Sequence, residues 1–324
     1  MGKCSKAAVA ALALIIGGAV SPAVAQSGRL VPGGMAAVDL SWVVTKYVDL
    51  AYASKSAAQK LDLYLPNEGT GPFPLIIENH GGGFAAGSKS SQIGPMLEAL
   101  KKGYAVASIN YRLSGEATWP AQIHDVKAAI RYLRANAAAY KLDPERFAAW
   151  GASAGGSLAA LAGASGGVSA LSDPSLGNAS VSDRVQAVVD WFGPVYFSTM
   201  DAEFAALGTS GVMGPTNAAG SAESKYLGKT VGTAAAQPLV EAASPRSYIS
   251  ADDPPFYIQH GSADRNIPIT QSMDLAKALV AAIGSDKVVF ERLEGAGHGG
   301  AQFEAAENVA KIIAFLDKHL KKAP

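Results

Sequence analysis

Residues 145–160 read Glu-Arg-Phe-Ala-Ala-Trp-Gly-Ala-Ser-Ala-Gly-Gly-Ser-Leu-Ala-Ala. An apolar run, Phe147 to Trp150, meets Gly151-Ala152-Ser153-Ala154-Gly155-Gly156 and continues into small residues with Leu158. The pattern predicts strand, sharp turn and helix, with Ser153 at the corner. Only residues of minimal size allow so tight a turn, which leaves the serine hydroxyl exposed above the strand end as a candidate nucleophile. In a chain with 35 glycines the five-residue pattern alone is weak. A second match, Gly163-Ala164-Ser165-Gly166-Gly167, follows the small-residue helical run Ser157 to Ala162 and has no strand before it. Its glycines read as the stop signal of that helix. Context selects Ser153 over Ser165.

A serine hydroxyl needs a base to take its proton and a carboxylate to hold that base in the right tautomer. The apolar run Phe256 to Gln259 leads into His260-Gly261-Ser262-Ala263-Asp264, and the run Val288 to Leu293 leads into Glu294-Gly295-Ala296-Gly297-His298-Gly299-Gly300. Both read as strand-end loops, and the glycines leave room for an exposed His298 ring. The chain order Ser153, Asp264, His298 is the one expected when such a turn sits on an open α/β sheet. Competing histidines have blander readings. His124 falls on an amphipathic helix, His260 braces its loop, His319 lies in a lysine-rich C-terminal turn, and His80 is structural. Asp252, Asp253 and Glu294 compete with Asp264 for the role of acid; Asp125 and Asp190 read as loop-orienting hydrogen-bond acceptors.

A tetrahedral intermediate also needs donors aimed at its developing oxyanion. The loop His80-Gly81-Gly82-Gly83-Phe84 directly follows an apolar strand, so bare backbone N–H groups can approach a substrate there. The N–H of Ala154, at a helix N-terminus just after the candidate nucleophile, complements it. No G-K-[ST] follows the glycines, which argues against a phosphate loop. No Cys/His cluster or H-E-x-x-H pattern points to a catalytic metal, and no G-x-G-x-x-G is placed for a dinucleotide, so no cofactor is expected.

The elements that position these residues follow from periodicity. Val43 to Ala51 and Gln59 to Leu65 read as an antiparallel hairpin at a sheet edge, the second run half-buried through Leu61, Leu63 and Leu65. Leu75 to Asn79, Tyr104 to Ile109, Phe147 to Trp150, Val185 to Trp191, Phe256 to Gln259 and Val288 to Leu293 are short strands. Asp143-Pro144 is expected to turn the chain into the third of these. Between the strands come helical stripes: Ile93, Met96, Leu97 and Leu100 closed by Gly103, then Ile123, Val126, Ile130 and Leu133. Later stripes are Met273, Ala276, Leu279, Val280 and Ile283, and finally Val309, Ile312, Ile313 and Leu316. The alternation predicts an α/β fold with a mostly parallel sheet covered on both faces. The interval 195–247 lacks a strand, with short helices expected at Met200 to Leu207 and Glu223 to Leu227. Lying beyond the carboxyl end of a strand, it reads as a lid or pocket wall.

Residues 1–25 read as a signal peptide: Lys3 and Lys6, the apolar run Ala7 to Val20, then Ala23-Val24-Ala25 as a cleavage site. That run of about 14 residues is short for a membrane span, and no stable membrane anchor is expected. Residues 26–324 form one domain in this reading, with 26–41 an extended arm. Cleavage removes Cys4, the only cysteine, so an exported chain would fold without disulfides. It also leaves 25 basic residues of the original 27 against 27 acidic ones. With no basic stripe, nucleic acid is excluded as a partner. Oligomeric state is not legible.

The HGGG loop at 80–83 together with Gly151-Ala152-Ser153-Ala154-Gly155-Gly156 resembles the α/β-hydrolase esterases of the hormone-sensitive-lipase-like group. The stretches Tyr111-Arg-Leu-Ser-Gly-Glu-Ala-Thr-Trp-Pro-Ala-Gln-Ile-His-Asp125 and Gln59-Lys-Leu-Asp-Leu-Tyr-Leu-Pro66 are similar to the branch named for bifunctional acetylxylan and feruloyl esterases. The resemblance covers most of 43–320. It implies an eight-stranded hydrolase sheet with a small insertion after the sixth strand, and a cofactor-free Ser–His–Asp mechanism. Ser153 would be the nucleophile, Asp264 and His298 its partners, and Gly82, Gly83 and Ala154 the oxyanion donors. After Gly193-Pro194 that branch often has Thr-Asp, whereas Val195-Tyr196 stands here, so the interval that sets specificity departs from the pattern. The expected activity is exported ester hydrolysis on small acyl or aryl esters, acetyl or feruloyl groups on polysaccharide among them. Phe84, Trp119, Trp191 and Phe192 are candidate pocket aromatics. A peptidase of the same fold, or a non-catalytic binding module on this scaffold, is the alternative.

Overall fold

The computed structural model describes Met1 and residues 38–321. The expected signal peptide and most of the arm before residue 41 lie outside the described residues. The chain first pairs β1 (Lys46–Ala51) with β2 (Lys60–Tyr64) as an antiparallel hairpin. β1 is the exposed edge strand. β2 is covered on both faces rather than half-buried, because Lys89 reaches Asp62 at 2.6 Å and the Tyr64 hydroxyl donates to the same carboxylate. Its polar side chains are therefore partnered under cover, not solvated.

From there strands alternate with helices. β3 (Phe73–Asn79), β4 (Ala105–Ile109) and β5 (Leu142–Ala152) are followed by β6 (Ala187–Trp191), β7 (Phe256–Gly261) and β8 (Val288–Leu293). The sheet order is β1-β2-β4-β3-β5-β6-β7-β8, antiparallel at the two pairings made by β2 and parallel elsewhere. Parallel strands need crossovers, and the helical stripes supply them. α1 (Gly94–Leu97) runs on as a 3-10 turn to Lys102 and ends at Gly103, whose φ of 81° only glycine adopts readily. α2 (Ala121–Ala135) and α3 (Ala154–Ala164) pack on one face with Ile123, Val126, Ile130 and Leu158 in a shared core. The other face carries Met96, Trp150, Trp191, Ile312 and Leu316. Among the described residues no helix is long and apolar enough to cross a membrane.

β5 begins at Leu142, so Asp143-Pro144 lies within the strand's span, in an irregularity where the pairing steps from Phe73–Leu142 to Leu75–Phe147. After α4 (Met200–Ala206), α5 (Ala222–Leu227) and α6 (Gln237–Ala243) comes α7 (Thr270–Ile283), which buries Ser272, Leu275, Ala276, Leu279 and Ile283, while Met273 and Val280 face water. Positions 272, 275, 276, 279 and 283 make one continuous face; 273 and 280, seven apart, sit beside it. The small Ser272 is buried in their place because its hydroxyl meets His260. α8 (Ala301–Glu304) and α9 (Ala306–Leu320) close the chain.

One buried charge-bearing group stands out on the central strand. Glu78 is fully covered, shares a hydrogen bond with the Ser108 hydroxyl, which also donates to the Lys89 carbonyl, and its Oε1 has no partner among the described residues. Burial pushes its carboxyl up to about 8, against the opposing effect of the Ser108 hydrogen bond. Because the folded state then keeps a proton that the unfolded chain releases, stability falls as pH rises from about 4.5 towards 8. Glu78→Gln is expected to melt roughly 5–10 °C above the parent at pH 8.5, with the two converging near pH 5. Parallel melting curves at both pH values check this; a gap that does not depend on pH contradicts it.

Candidate active site

The corner at the end of β5 is tight because backbone meets backbone. Ser153 has φ 56° and ψ −124°, a left-handed conformation that costs a non-glycine residue on the order of 1–3 kcal/mol. Two hydrogen bonds hold it: Ser153 N–H to the Trp191 carbonyl at 2.9 Å, and Ser157 N–H to the Ser153 carbonyl at 3.0 Å. The flanking glycines are required by space, not by φ. A Cβ at Gly151 would lie 2.2 Å from the Gly155 carbonyl oxygen, one at Gly155 would lie 1.9 Å from that of Asn79, and one at Gly156 would lie 2.4 Å from Asp190 Oδ1. Ser165, by contrast, caps the end of α3. It is fully buried, and its hydroxyl donates back to the Leu161 carbonyl at 2.6 Å. It cannot meet a substrate.

Ser153 Oγ lies 2.9 Å from His298 Nε2, and His298 Nδ1 lies 2.7 Å from Asp264 Oδ2. Asp264 Oδ1 accepts from the backbone N–H groups of Asn266 at 2.7 Å and Ile267 at 3.0 Å. Burial alone would push this carboxyl up, but hydrogen bonds from His260 and His298 overcome it and hold Asp264 well below the usual carboxylate range. The carboxylate is thus ionised beside the ring it must steady. The competing acids are engaged elsewhere: Asp252 with Arg184, Asp253 with the Ser250 hydroxyl, Glu294 with Ser262 and Arg292. His124 and His319 sit on α2 and α9. Asp125 binds Arg112 and Gln59, and Asp190 accepts from Gly193 N–H at 2.9 Å, so both orient loops as expected. Among the described residues no group of three or more His, Cys, Asp or Glu is arranged to hold a metal.

The glycine loop is clamped at its start and open at its tip. Gly81 N–H donates to Gln92 Oε1 at 2.7 Å, His80 Nδ1 contacts the Gly81 carbonyl at 2.8 Å, and the Tyr111 hydroxyl donates to the His80 carbonyl at 2.8 Å. Tyr111 also stacks on the His80 ring at 4.3 Å. Burial lowers His80 to about 4, so the ring stays neutral and structural. Gly82 and Gly83 follow at φ 112° and 60°. Their N–H groups, like that of Ala154 in the first turn of α3, donate to no acceptor among the described residues.

The four aromatic candidates are all buried, and none is an open pocket wall. Trp191 is core: its Nε1–H donates to Gln259 at 2.7 Å and its ring packs edge-on to Trp150 and Phe303. Phe192, at φ 45°, backs the His298 ring at 4.6 Å. Phe84 and Trp119 are covered by the 195–247 interval. Tyr226 of α5 stacks on Phe84 at 3.9 Å, meets Trp119 edge-on at 5.8 Å, and accepts the Trp119 N–H at its carbonyl. Phe197, Met200, Tyr226, Leu227, Val231 and Val240 join the main core, which makes this interval a packed wall. Sequence reading missed Tyr226, because a lone aromatic among Ala, Gly and Ser residues carries no periodic signal. It also missed that His260, besides bracing its loop, reaches Asp264.

The BD-FAE family model matches residues 61–279. Esterase LipQ of Mycobacterium tuberculosis is 35% identical over 245 residues, 74% of this chain and 53% of LipQ. A solved structure of a truncated carbohydrate esterase from gut microbiota aligns with a TM-score of 0.76 at 35% identity, covering 89% of this chain and 100% of that one. A bifunctional GH43-CE protein of Bacteroides eggerthii aligns at 0.74 and 34% identity, covering 85% of this chain and 35% of that one. The chain spans about half the length of the curated relatives it matches.

The close contacts at the corner make a direct prediction. Gly155→Ala is expected to yield insoluble protein or to lower the melting temperature by roughly 5 °C or more. Gly220→Ala, where a Cβ meets nothing within 4 Å, should stay within about 2 °C of the parent. Equal melting temperatures for the two variants would refute the close-approach account.

Proposed function

The chain belongs to the BD-FAE family, and from that premise we propose that it is an exported carboxylic-ester hydrolase acting through Ser153, His298 and Asp264. The observation that carries the reading is the continuous hydrogen-bonded line from Ser153 Oγ through His298 to Asp264, at 2.9 and 2.7 Å. His298 Nε2 takes the Ser153 proton as Oγ attacks the ester carbonyl, forming a tetrahedral intermediate. Asp264 steadies the imidazolium. The oxyanion is met by the N–H groups of Gly82, Gly83 and Ala154. Collapse breaks the bond to the alcohol, which leaves with a proton from His298. Water, activated by the same ring, then attacks the acyl-serine and releases the acid.

The substrates proposed are small acyl or aryl esters, with acetyl or feruloyl groups on polysaccharide as the class. The likeness to a truncated carbohydrate esterase from gut microbiota at 35% identity supports this. Export rests on Lys3, Lys6, the apolar run and Ala23-Val24-Ala25.

A fluorophosphonate is expected to label Ser153, and an unlabelled enzyme would sink the reading. Ser153→Ala should lose at least about 10³-fold in kcat/KM on a p-nitrophenyl acyl ester, and Asp264→Asn about 10²–10⁴-fold. Ser165→Ala should stay within about threefold of the parent. For the substrate class, rates on acetylated xylan and methyl ferulate are compared with those on p-nitrophenyl esters. Activity confined to the synthetic esters would remove the polysaccharide assignment while leaving the mechanism intact.

A further inference from the structure

Asp264 is served by two imidazoles, not one. His260, at the carboxyl end of β7, is fully buried, and its Nε2 lies 3.2 Å from Asp264 Oδ2, the oxygen that also meets His298 Nδ1. The same Nε2 lies 3.0 Å from the Ile267 carbonyl, while Nδ1 lies 2.7 Å from the Ser272 hydroxyl on α7. Both neighbours of Nε2 can only accept: one is a carbonyl, the other a carboxylate held in its ionised form. Nε2 must therefore carry a proton, directed at the Ile267 carbonyl with Asp264 Oδ2 as its second acceptor, while Nδ1 is paired with the Ser272 hydroxyl.

Three hydrogen bonds reach the acid: Oδ1 takes the N–H groups of Asn266 and Ile267, and Oδ2 takes His298. His260 Nε2 stands 3.2 Å from Oδ2 on its remaining side, bonded at the same time to the carbonyl of Ile267, the residue whose N–H holds Oδ1. The ring thus ties the acid to its own loop while His298 gains its second proton.

We propose that His260 is a positioning residue for the reaction: its Nε2–H, shared between the Ile267 carbonyl and Asp264 Oδ2, fixes that oxygen on His298. The proposal rests on the esterase reading above and adds a residue to it that touches neither substrate nor nucleophile. His260 acts only through Asp264, and Ser272 acts only through His260. The other ionisable group beside the ring is Asp190 of β6.

The test is a set of variants assayed on a small p-nitrophenyl ester. His260→Phe keeps a flat ring and removes the donor; kcat is expected to fall about 10–100-fold with KM within about twofold. His260→Gln, which restores an N–H at a similar reach, should recover most of that loss. In an Asp264→Asn background His260→Phe should cost less than about twofold more, because the donor has lost the carboxylate it serves. Ser272→Ala provides a milder probe if His260→Phe does not fold. It should lower kcat about 3–10-fold and show the same lack of further loss on Asp264→Asn. The proposal is overturned if His260→Phe or Ser272→Ala leaves kcat unchanged, if Gln is no better than Phe, or if the losses multiply with Asp264→Asn. Full activity of Asp264→Asn alone would instead overturn the esterase mechanism, so the two failures are distinguishable.

Discussion

The packing of one helix directly onto two strand ends, with no side chain between, is the constraint on which the rest depends. Gly155 of α3 lies where any Cβ would penetrate the Asn79 carbonyl and come within 2.7 Å of the carbonyl oxygen of His80. Asn79 ends β3, and His80 opens the glycine loop. The contact therefore sets the distance between the turn that carries Ser153 and the loop that carries Gly82 and Gly83. Two segments some 70 residues apart in the chain are locked in register by the absence of a methyl group. Serine at φ 56° is strained, and that packed helix start is what over-determines it.

The second organising interaction is electrostatic. Asp264 leaves water, which should favour its neutral form, yet two ring donors and two backbone N–H groups hold it ionised. Glu78 meets the opposite fate. It is fully buried, has only the Ser108 hydroxyl as a partner, and its carboxyl is pushed up. The number of donors around each carboxyl separates the two.

How far the sequence could be read follows the same physics. Alternation and helical stripes located every strand of the sheet, because burial of one face leaves a periodic trace. Strand ends then pointed to the loops with Ser153, Asp264 and His298, although distances between them lie beyond any sequence pattern. Periodicity failed where burial was not apolar. Ser272 is buried by a hydrogen bond, and Met273 and Val280 are left outside, so a stripe drawn on hydrophobicity kept Ala276, Leu279 and Ile283 but took two wrong members. Trp191 and Phe84 could not be told apart as core or cavity from residue type. His260 looked like a loop brace, and only three-dimensional geometry reveals the shared oxygen on Asp264.

The stacking of Phe84 on Tyr226 has a consequence for how such a protein can diversify. Phe84 continues the glycine loop, and Tyr226 belongs to the helix-rich interval after β6; a Cβ on Gly83 would already crowd that of Ala222 at 3.1 Å. The wall that would choose a substrate and the loop that would receive its carbonyl thus share one seam. A graft that exchanges the wall for another must bring a matching aromatic face, or it will shift the loop beneath. In the proposed esterase, specificity would then change as a packed pair of surfaces, not as an interchangeable cap.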